Sequence, residues 1–419
     1  MFGQDRPPGG RGSRPAGGTP PAGGTPRLLR AHNERTLLEH LRGTGPSSRP
    51  DLARIAGLSK PTVSQALANL ESAGLVRPVG PASPSLGRTA MLYEVDPTAG
   101  YVVGIDIGRA WIRVAAADLA GGIVARRDER NRARGASALV KTVAEVAHDV
   151  VAAAGLTWEH VAHTVVGGPG VFDPDSDRLR HAPNVPGWSR PGVMSSLREA
   201  LPPTVALDND ANLAAVGERT YGSGRDARTF VYVSVGTGIG MGVIIDGELY
   251  RGAHGAAGEV GYLPLGGDEV AAGRDAKRRG ILEEAASADA VVRTAKRLGM
   301  AGASSAKRVF AAARAGDELA LAAVDAEAQR LALVVGTVAA IIDPEFVLLG
   351  GGVGSNIDLL RPPLERRLAE LTPLAPPVAE GELGQDAIVL GAVASALDTA
   401  RDLVFEQRAG FAIGESLGA

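Results

Sequence analysis

No cysteine occurs among the 419 residues, which excludes disulfide bonds and every thiolate metal site. Aromatic residues are scarce at 4%, yet apolar residues reach 45%, and this length can hold two or three domains with well-buried cores. Long hydrophobic runs are also missing. The run "LALVVGTVAAII" from Leu331 spans only 12 residues before Asp343-Pro344, too short for a bilayer, and reads as a buried helix. The first 27 residues, rich in Gly, Pro and Arg, contain no segment resembling a secretion signal, so no membrane association or export is expected and the cytoplasm is the expected location. That segment cannot bury enough apolar surface to fold, and residues 1–27 are expected to be a disordered tail. Its arginines either add sequence-independent affinity for a polyanion or only keep the chain soluble.

The net charge of −3 hides an asymmetry. Residues 1–90 carry 12 Lys/Arg against five Asp/Glu, a net +7, which leaves −10 for the remainder. A basic head on an acidic body suggests that only the head meets a polyanion; a merely solvated basic segment is the plain alternative.

Residues 28–95 read as a winged helix-turn-helix. Leu37, Leu38 and Leu41 mark one apolar stripe at helical spacing, Leu52 and Ile55 a second, and Val63, Leu67 and Leu70 a third. Between the second and third stands "AGLS", where Gly57 suits a tight turn, Ser59 suits a helix cap and Pro61 fits a first helical turn. A third helix over Lys60–Ser72 would leave Thr62, Ser64, Gln65, Ala68 and Asn69 outward, a small polar face able to approach base edges, with Lys60 set against phosphate. A strand from Leu75, a Gly/Pro/Ser tip and a returning strand from Thr89 form a wing bearing Arg77 and Arg88. The candidate DNA-binding residues are therefore Lys60, Thr62, Ser64, Gln65, Asn69, Arg77 and Arg88. A small protein-interaction module is the alternative reading of the same helices.

After Asp96-Pro97 strands and helices alternate, which implies an α/β body. One device occurs twice: "VVGIDIGRAWIRVAAADLAGGIV" and "FVYVSVGTGIGMGVIIDGELY" are each strand, glycine turn, strand, the second closing on an Asp246-Gly247 hairpin turn. Two such hairpins suggest two related lobes with a cleft between them. In "PTVALDNDANLAAVGE", Asp208, Asn209, Asp210 and Asn212 crowd the end of a strand and the start of a helix. They suit a polyhydroxylated ligand, with one carboxylate able to act as a base, whereas helix capping would use only one or two of them. Glu259 in "GAAGEVGYLPL" and the Gly350-Gly351-Gly352 turn in "PEFVLLGGGVGSN" complete the candidates.

The motifs "GIDIG", "PNVPGW", "DNDAN", "GTGIG", "GAAGEVGY", "RRGILEE" and "DPEFVLLGGGV", in this order over residues 98–400, resemble the ROK family of bacterial sugar kinases and sugar-responsive repressors. The resemblance implies a two-lobed actin-like ATPase (ribonuclease H-like) domain. It places Asp106 and Gly108 in a first phosphate loop, Gly236, Thr237, Gly238 and Gly240 in a second, and Gly351 and Gly352 near an adenosine. It also places Asn184, Asn209, Asp210, Glu259 and Glu283 at sugar-contacting positions, with Asp210 at that of the kinase's catalytic base. Residues 401–419 are left as a tail, with no motif readable past Leu403.

Two departures from the family pattern follow. Arg109 and Ala110 stand where the kinases have glycine and threonine; Arg109 either pairs with phosphate or blocks the close approach of backbone to ligand, and the reading adopted is a vestigial nucleotide site. Family members commonly hold zinc beside the sugar with a histidine and three cysteines, but this chain has Tyr262 at the histidine and no cysteine, so zinc and any other metal or cofactor are not expected. Tyr262 remains a ligand-binding candidate through its hydroxyl, or simply packs.

The expected function is a DNA-binding transcriptional regulator, a repressor, whose body senses a sugar or sugar phosphate without phosphorylating it. No catalytic residue is expected on that reading. An active ATP-dependent sugar kinase with an added DNA-binding domain, using Asp210 as base, is the rival, and a scaffold with neither ligand is a third reading. Expected partners are double-stranded operator DNA and a second copy of the chain, as a homodimer or homotetramer.

Overall fold

The computed structural model describes residues 26–81, 90–173, 178–180, 185–202, 204–264 and 280–410. They fall into two compact units, one comprising the chain up to Val95 together with residues from Phe405, the other Asp96–Val404.

In the first unit, helix α1 (Pro26–Thr44) buries Leu37, Leu38 and Leu41, and a two-residue strand β1 (Ser47–Ser48) follows. Helix α2 (Arg49–Ala56) is capped by Ser48, which accepts from the Asp51 N–H, and ends at Gly57 in the left-handed region at φ 65. Helix α3 (Lys60–Ser72) has the expected bounds, Ser59 accepting from the Thr62 N–H and Pro61 in the first turn. Its inner face is Val63, Ala66, Leu67 and Leu70. Ile55 departs from the expected second stripe: only Leu52 of the short α2 is buried, and Ile55 is exposed. Strands β2 (Val76–Pro81) and β3 (Met91–Val95) pair antiparallel, Val76 opposite Val95, and β1 adds to β3. The returning strand thus begins at Met91, while the wing tip with Arg88 and Thr89 lies outside the described residues.

The C-terminal stretch expected to be a tail is, through Ala409, the end of a helix spanning Ala387–Ala409. Phe405 and Glu406 are buried in the first unit, where Arg35 lies 5.4 Å from the Phe405 ring centroid and 3.9 Å from the Glu406 carboxylate. An aromatic ring removed from water explains why this segment is ordered structure although it carries no motif.

The second unit holds two five-stranded sheets. The first is built from β4 (Tyr101–Ile107), β5 (Trp111–Asp118), β6 (Ile123–Arg130), β7 (Val161–Gly168) and β10 (Val205–Asn209), in the order β10-β7-β4-β5-β6, while β8 (Val171–Asp173) and β9 (Arg178–Arg180) form a separate ribbon. The second is built from β11 (Phe230–Val235), β12 (Ile239–Ile245), β13 (Glu248–Leu249), β14 (Val347–Gly350) and β15 (Val378–Glu380), in the order β13-β12-β11-β14-β15. Each sheet is an antiparallel three-strand meander extended by two parallel strands. The repeated hairpin in the sequence therefore marks a repeated topology, two lobes of one actin-like α/β body. Asp246 and Gly247 both take positive φ, 53 and 81, as a primed hairpin turn demands.

Helices α4 (Ala136–Ala153), α5 (Val193–Ala200) and α6 (Asp210–Tyr221) complete the first lobe and begin the crossing to the second. Val103, Ile105 and Ile107 pack in one core with Leu139 and Val143 of α4 and with Trp188. In the second lobe Val231, Val233 and Val235 share a core with the helix Glu318–Ile342. The 12-residue apolar run is the end of that helix, with Leu331, Val334, Val335 and Val338 buried. No described helix is long and apolar enough to cross a membrane.

Candidate functional site

Each lobe delivers its glycine hairpin to one open cleft. Its walls include Gly108 and Arg109 from the first hairpin, Asn209 and Asp210 at the β10–α6 junction, Gly236, Thr237, Gly238 and Gly240 from the second hairpin, and the acids Glu259 and Glu283. Most of the body residues singled out from sequence thus meet in one place. Asn184 lies outside the described residues, and Tyr262, Gly351, Gly352 and Asp106 are not among the lining residues.

The junction resolves the crowded "DNDAN" into separate tasks. Asn209 is the N-cap of α6: its Oδ1 accepts from the Ala211 and Asn212 N–H groups at 2.8 and 3.3 Å, and its Nδ2 donates to the Gly170 carbonyl at 3.2 Å. Asp208 turns away from the cleft, accepting from Arg251 at 2.6 Å and from the buried Asn212 at 3.2 Å. Asp210 is left to line the cleft, with one carboxylate oxygen held by the Ala211 N–H at 2.8 Å.

Electrostatically the cleft is an acid cluster taken partly out of water. Burial raises the Asp210 carboxyl above its ordinary range, against the pull of backbone N–H groups. Glu259 is pushed up to about 7, first by burial and then by the neighbouring charges of Asp210 and Glu283. Glu283 is buried and accepts from the Ile239 N–H at 3.3 Å, which ties it to the second glycine loop. Carboxylates among glycine walls are acceptors for hydroxyl groups, the chemistry a sugar needs. Tyr262 sits on the turn Val260–Tyr262 beside this cluster, its hydroxyl raised first by its own burial and then by Glu259 and Glu283. A phenol at the position of the family's histidine, in a chain without cysteine, does not supply the usual tetrahedral zinc set.

The two hairpins differ. In the first, Asp106 is 2% exposed and lies under the loop, its carboxylate 2.9 Å from Arg113. Burial drives Asp106 up to about 7, while the Arg113 charge opposes the shift. The loop itself closes through Gly108 N–H to the Trp111 carbonyl at 2.9 Å, and Asn131 donates to the Gly108 carbonyl at 2.8 Å. Arg109 is exposed on this turn and lines the cleft. In the second, Gly236 N–H closes on the Gly238 carbonyl at 2.8 Å. The Gly351-Gly352 turn packs behind: Gly351, at φ 77, passes so near Val235 that a Cβ would stand 2.6 Å from its carbonyl oxygen, and the Gly352 nitrogen lies 3.8 Å from where a Gly236 Cβ would be.

Pro169, Gly170 and Ser234 also line the cleft and are not among the candidates read from sequence. The signal that points to the first two is the turn composition of "GGPGV" after the β7 run, reinforced by the buried Trp188, whose indole donates to the Pro169 carbonyl at 3.0 Å.

On the first unit, Ser64 and Gln65 of α3 are exposed, as is Lys60, and Thr62 is half-exposed, its hydroxyl shared with Ser59 at 2.8 Å. Asn69 departs from the expected outward face: it is half-buried and donates to Glu34 at 2.7 Å while accepting from Gln65 at 2.9 Å. Arg77 faces solvent but is paired with Glu94 across the wing at 2.8 Å. Arg88 lies outside the described residues.

A winged helix-turn-helix joined to a two-lobed sugar-kinase-like body defines the class. The chain belongs to the ROK family, whose sequence pattern matches residues 102–399, and the pattern of the MarR family matches residues 31–83. It is 31% identical to a glucokinase of Halalkalibacterium halodurans over 70% of this chain and 93% of that protein. It is 30% identical to the xylose repressor of Bacillus subtilis over 56% of this chain and 60% of the repressor. In fold it is similar to the crystal structure of a ROK family transcriptional regulator, a homologue of the E. coli MLC protein, with a TM-score of 0.73 and 20% identity over 91% of this chain and 99% of that one.

Proposed function

We propose that the protein is a transcriptional repressor that grips operator DNA through α3 and releases or tightens that grip when a sugar binds beside Asp210. The observation that carries this reading is the exposed, Ser59-capped helix with Ser64 and Gln65 outward, on a basic module that precedes a sugar-kinase-like body in the chain. The xylose repressor relative supports a pentose as effector, and the glucokinase relative a hexose. On this reading the protein acts in the cytoplasm as a homodimer or homotetramer, with paired winged helices set for half-sites one helical turn apart. Ligand couples to DNA only if it binds one body conformation better than another, and closure of the lobes on the acid cluster supplies such a difference.

The body senses rather than phosphorylates, and without zinc. Arg109 and Ala110 occupy the first loop, and the Asp106 carboxylate is taken up by Arg113. The second reading, a sugar kinase, is favoured by the intact second loop and by Asp210 in the cleft, and by the glucokinase relative. ATP turnover with a panel of pentoses and hexoses, compared with Asp210→Asn, separates the two: no Asp210-dependent product is expected, and sustained phosphorylation would overturn the sensing role. Mapping genomic binding sites and repeating the binding with each sugar tests the repressor reading itself.

A further inference from the structure

We propose that Gln65 reads an adenine in the major groove, and that Glu34 fixes which way Gln65 presents its carboxamide by acting through Asn69. The inference rests on the reading of the first unit as a DNA-binding module. It starts from an oddity of packing: Glu34 is an acid only 2% exposed, on α1, with its carboxylate turned toward α3.

A carboxylate has no hydrogen to give, so it can only accept. Asn69 must therefore turn its Nδ2 to Glu34, and does so at 2.7 Å. That choice sends the Asn69 carbonyl oxygen the other way, where it accepts from Gln65 Nε2 at 2.9 Å. Gln65 in turn spends one N–H on Asn69 and keeps its other N–H and its Oε1, and no described residue hydrogen-bonds to that oxygen. Burial raises the Glu34 carboxyl, while the Asn69 bond and Arg30, 3.9 Å away, pull it back toward the ionised form at the root of the chain. Amide orientations are ordinarily ambiguous, but here an acceptor-only group at one end sets both carboxamides.

The base follows from the orientation. A carboxamide offering one N–H and one carbonyl oxygen complements the N7 acceptor and N6 donor of adenine. If the chain of bonds ran in reverse, Gln65 would bury its oxygen on Asn69 and present two N–H donors, which complement the O6 and N7 acceptors of guanine. Glu34 is thus a positioning residue that selects adenine over guanine from outside the interface.

The test is selection by the full chain from a pool of duplexes randomised at the central positions, with Gln65→Ala, Asn69→Ala and Glu34→Gln run in parallel and melting temperatures recorded. The wild type is expected to enrich a motif with an adenine favoured roughly five- to a hundredfold, the discrimination of a bidentate contact. Gln65→Ala loses that preference. Glu34→Gln keeps the side-chain volume but can donate as well as accept, so guanine is admitted at the same position and the adenine preference over guanine falls to about twofold or less. Asn69→Ala relaxes it likewise. A purely structural Glu34 would lower melting temperature and overall affinity without moving the ratio of adenine to guanine at one position. An adenine preference that survives in Gln65→Ala overturns the assignment, and one that survives in both Glu34→Gln and Asn69→Ala overturns the positioning role; either result leaves DNA binding standing. A wild type that enriches no sequence overturns the DNA-binding reading and this inference with it.

Discussion

The two glycine hairpins share one topology, and their contents differ. In the second, between β11 and β12, glycines keep the loop open and the acid that pins it, Glu283, is itself part of the cleft. In the first, between β4 and β5, an arginine of the loop lines the cleft, Asp106 and Arg113 pair out of water, and the pin is a carboxamide, Asn131. The first hairpin is held by its own strands, with Asp106 and Arg113 directly opposite in the β4–β5 register. The two hairpins thus share a strand pairing and present different side chains at the cleft.

The largest expected effect tests that pair. Arg113→Ala strips the buried Asp106 of its cation, and losing one member of a buried pair costs about 3–5 kcal/mol where the carboxyl stays charged, well above pH 7, and less below it, where the carboxyl takes up a proton instead. Urea unfolding should show it. A loss under about 1 kcal/mol, the worth of an exposed pair, would mean that the first hairpin does not depend on its ion pair, and the contrast with the second would fail.

Next is Glu259, on the acid side of the comparison. Its folded value near 7 lies above the ordinary 4.5, so between those two pH values the folded state keeps a proton that the unfolded chain gives up. Stability from this group therefore declines as pH rises from 4.5 to about 7 and is flat above. Glu259→Gln removes the decline, and above pH 7 it should be more stable than wild type by about 2 kcal/mol, allowing for the partial exposure of the site, with the gap closing toward pH 4.5. Thermal melts across that range check the sign; an unchanging gap would mean that the acid is not raised.

A smaller effect addresses the loops directly. Arg109→Gly combined with Ala110→Thr returns a backbone free for close approach and a hydroxyl, and should strengthen binding of a non-hydrolysable ATP analogue by about tenfold in calorimetry, equivalent to about 1.4 kcal/mol. If the wild type already binds the analogue as tightly as the variant, the first loop is not vestigial and the two hairpins are alike.

How much is legible in the sequence follows the range of the interactions involved. Gly57, Ser59 and Pro61 act within a turn of where they stand, so the bounds of α3 follow from local residue chemistry. The repeated hairpin is legible because both strands of each lie together in the chain. The tie from Glu34 to Asn69 spans 35 residues and has no periodic signature, which is why spacing alone puts Asn69 on the outward face. The "DNDAN" cluster is readable as a cluster, but which of its members face the cleft depends on Arg251, 43 residues beyond Asp208. Ile55 falls outside its stripe because helical spacing marks a possible face but not how much of it a neighbour covers, and α2 is covered only at Leu52. The helix ending at Ala409 leaves no local signal because its buried Phe405 and Glu406 pair with α1, far away in sequence.

The smallest effect separates the two pins. Asn131 donates to Gly108 and accepts from the Ala133 N–H at 3.1 Å, and does not line the cleft, so Asn131→Ala should cost about 1 kcal/mol of stability and leave sugar affinity unchanged. Glu283 also holds its loop with a side chain, but that side chain faces the ligand space, so Glu283→Gln should weaken binding of the sugar identified in the effector screen by about tenfold with less change in unfolding free energy. Paired calorimetry and denaturation on the two variants decide the matter. Should both variants move affinity, or neither, the pins are equivalent, and the difference between the lobes would have to lie in Arg109 and Asp106 alone.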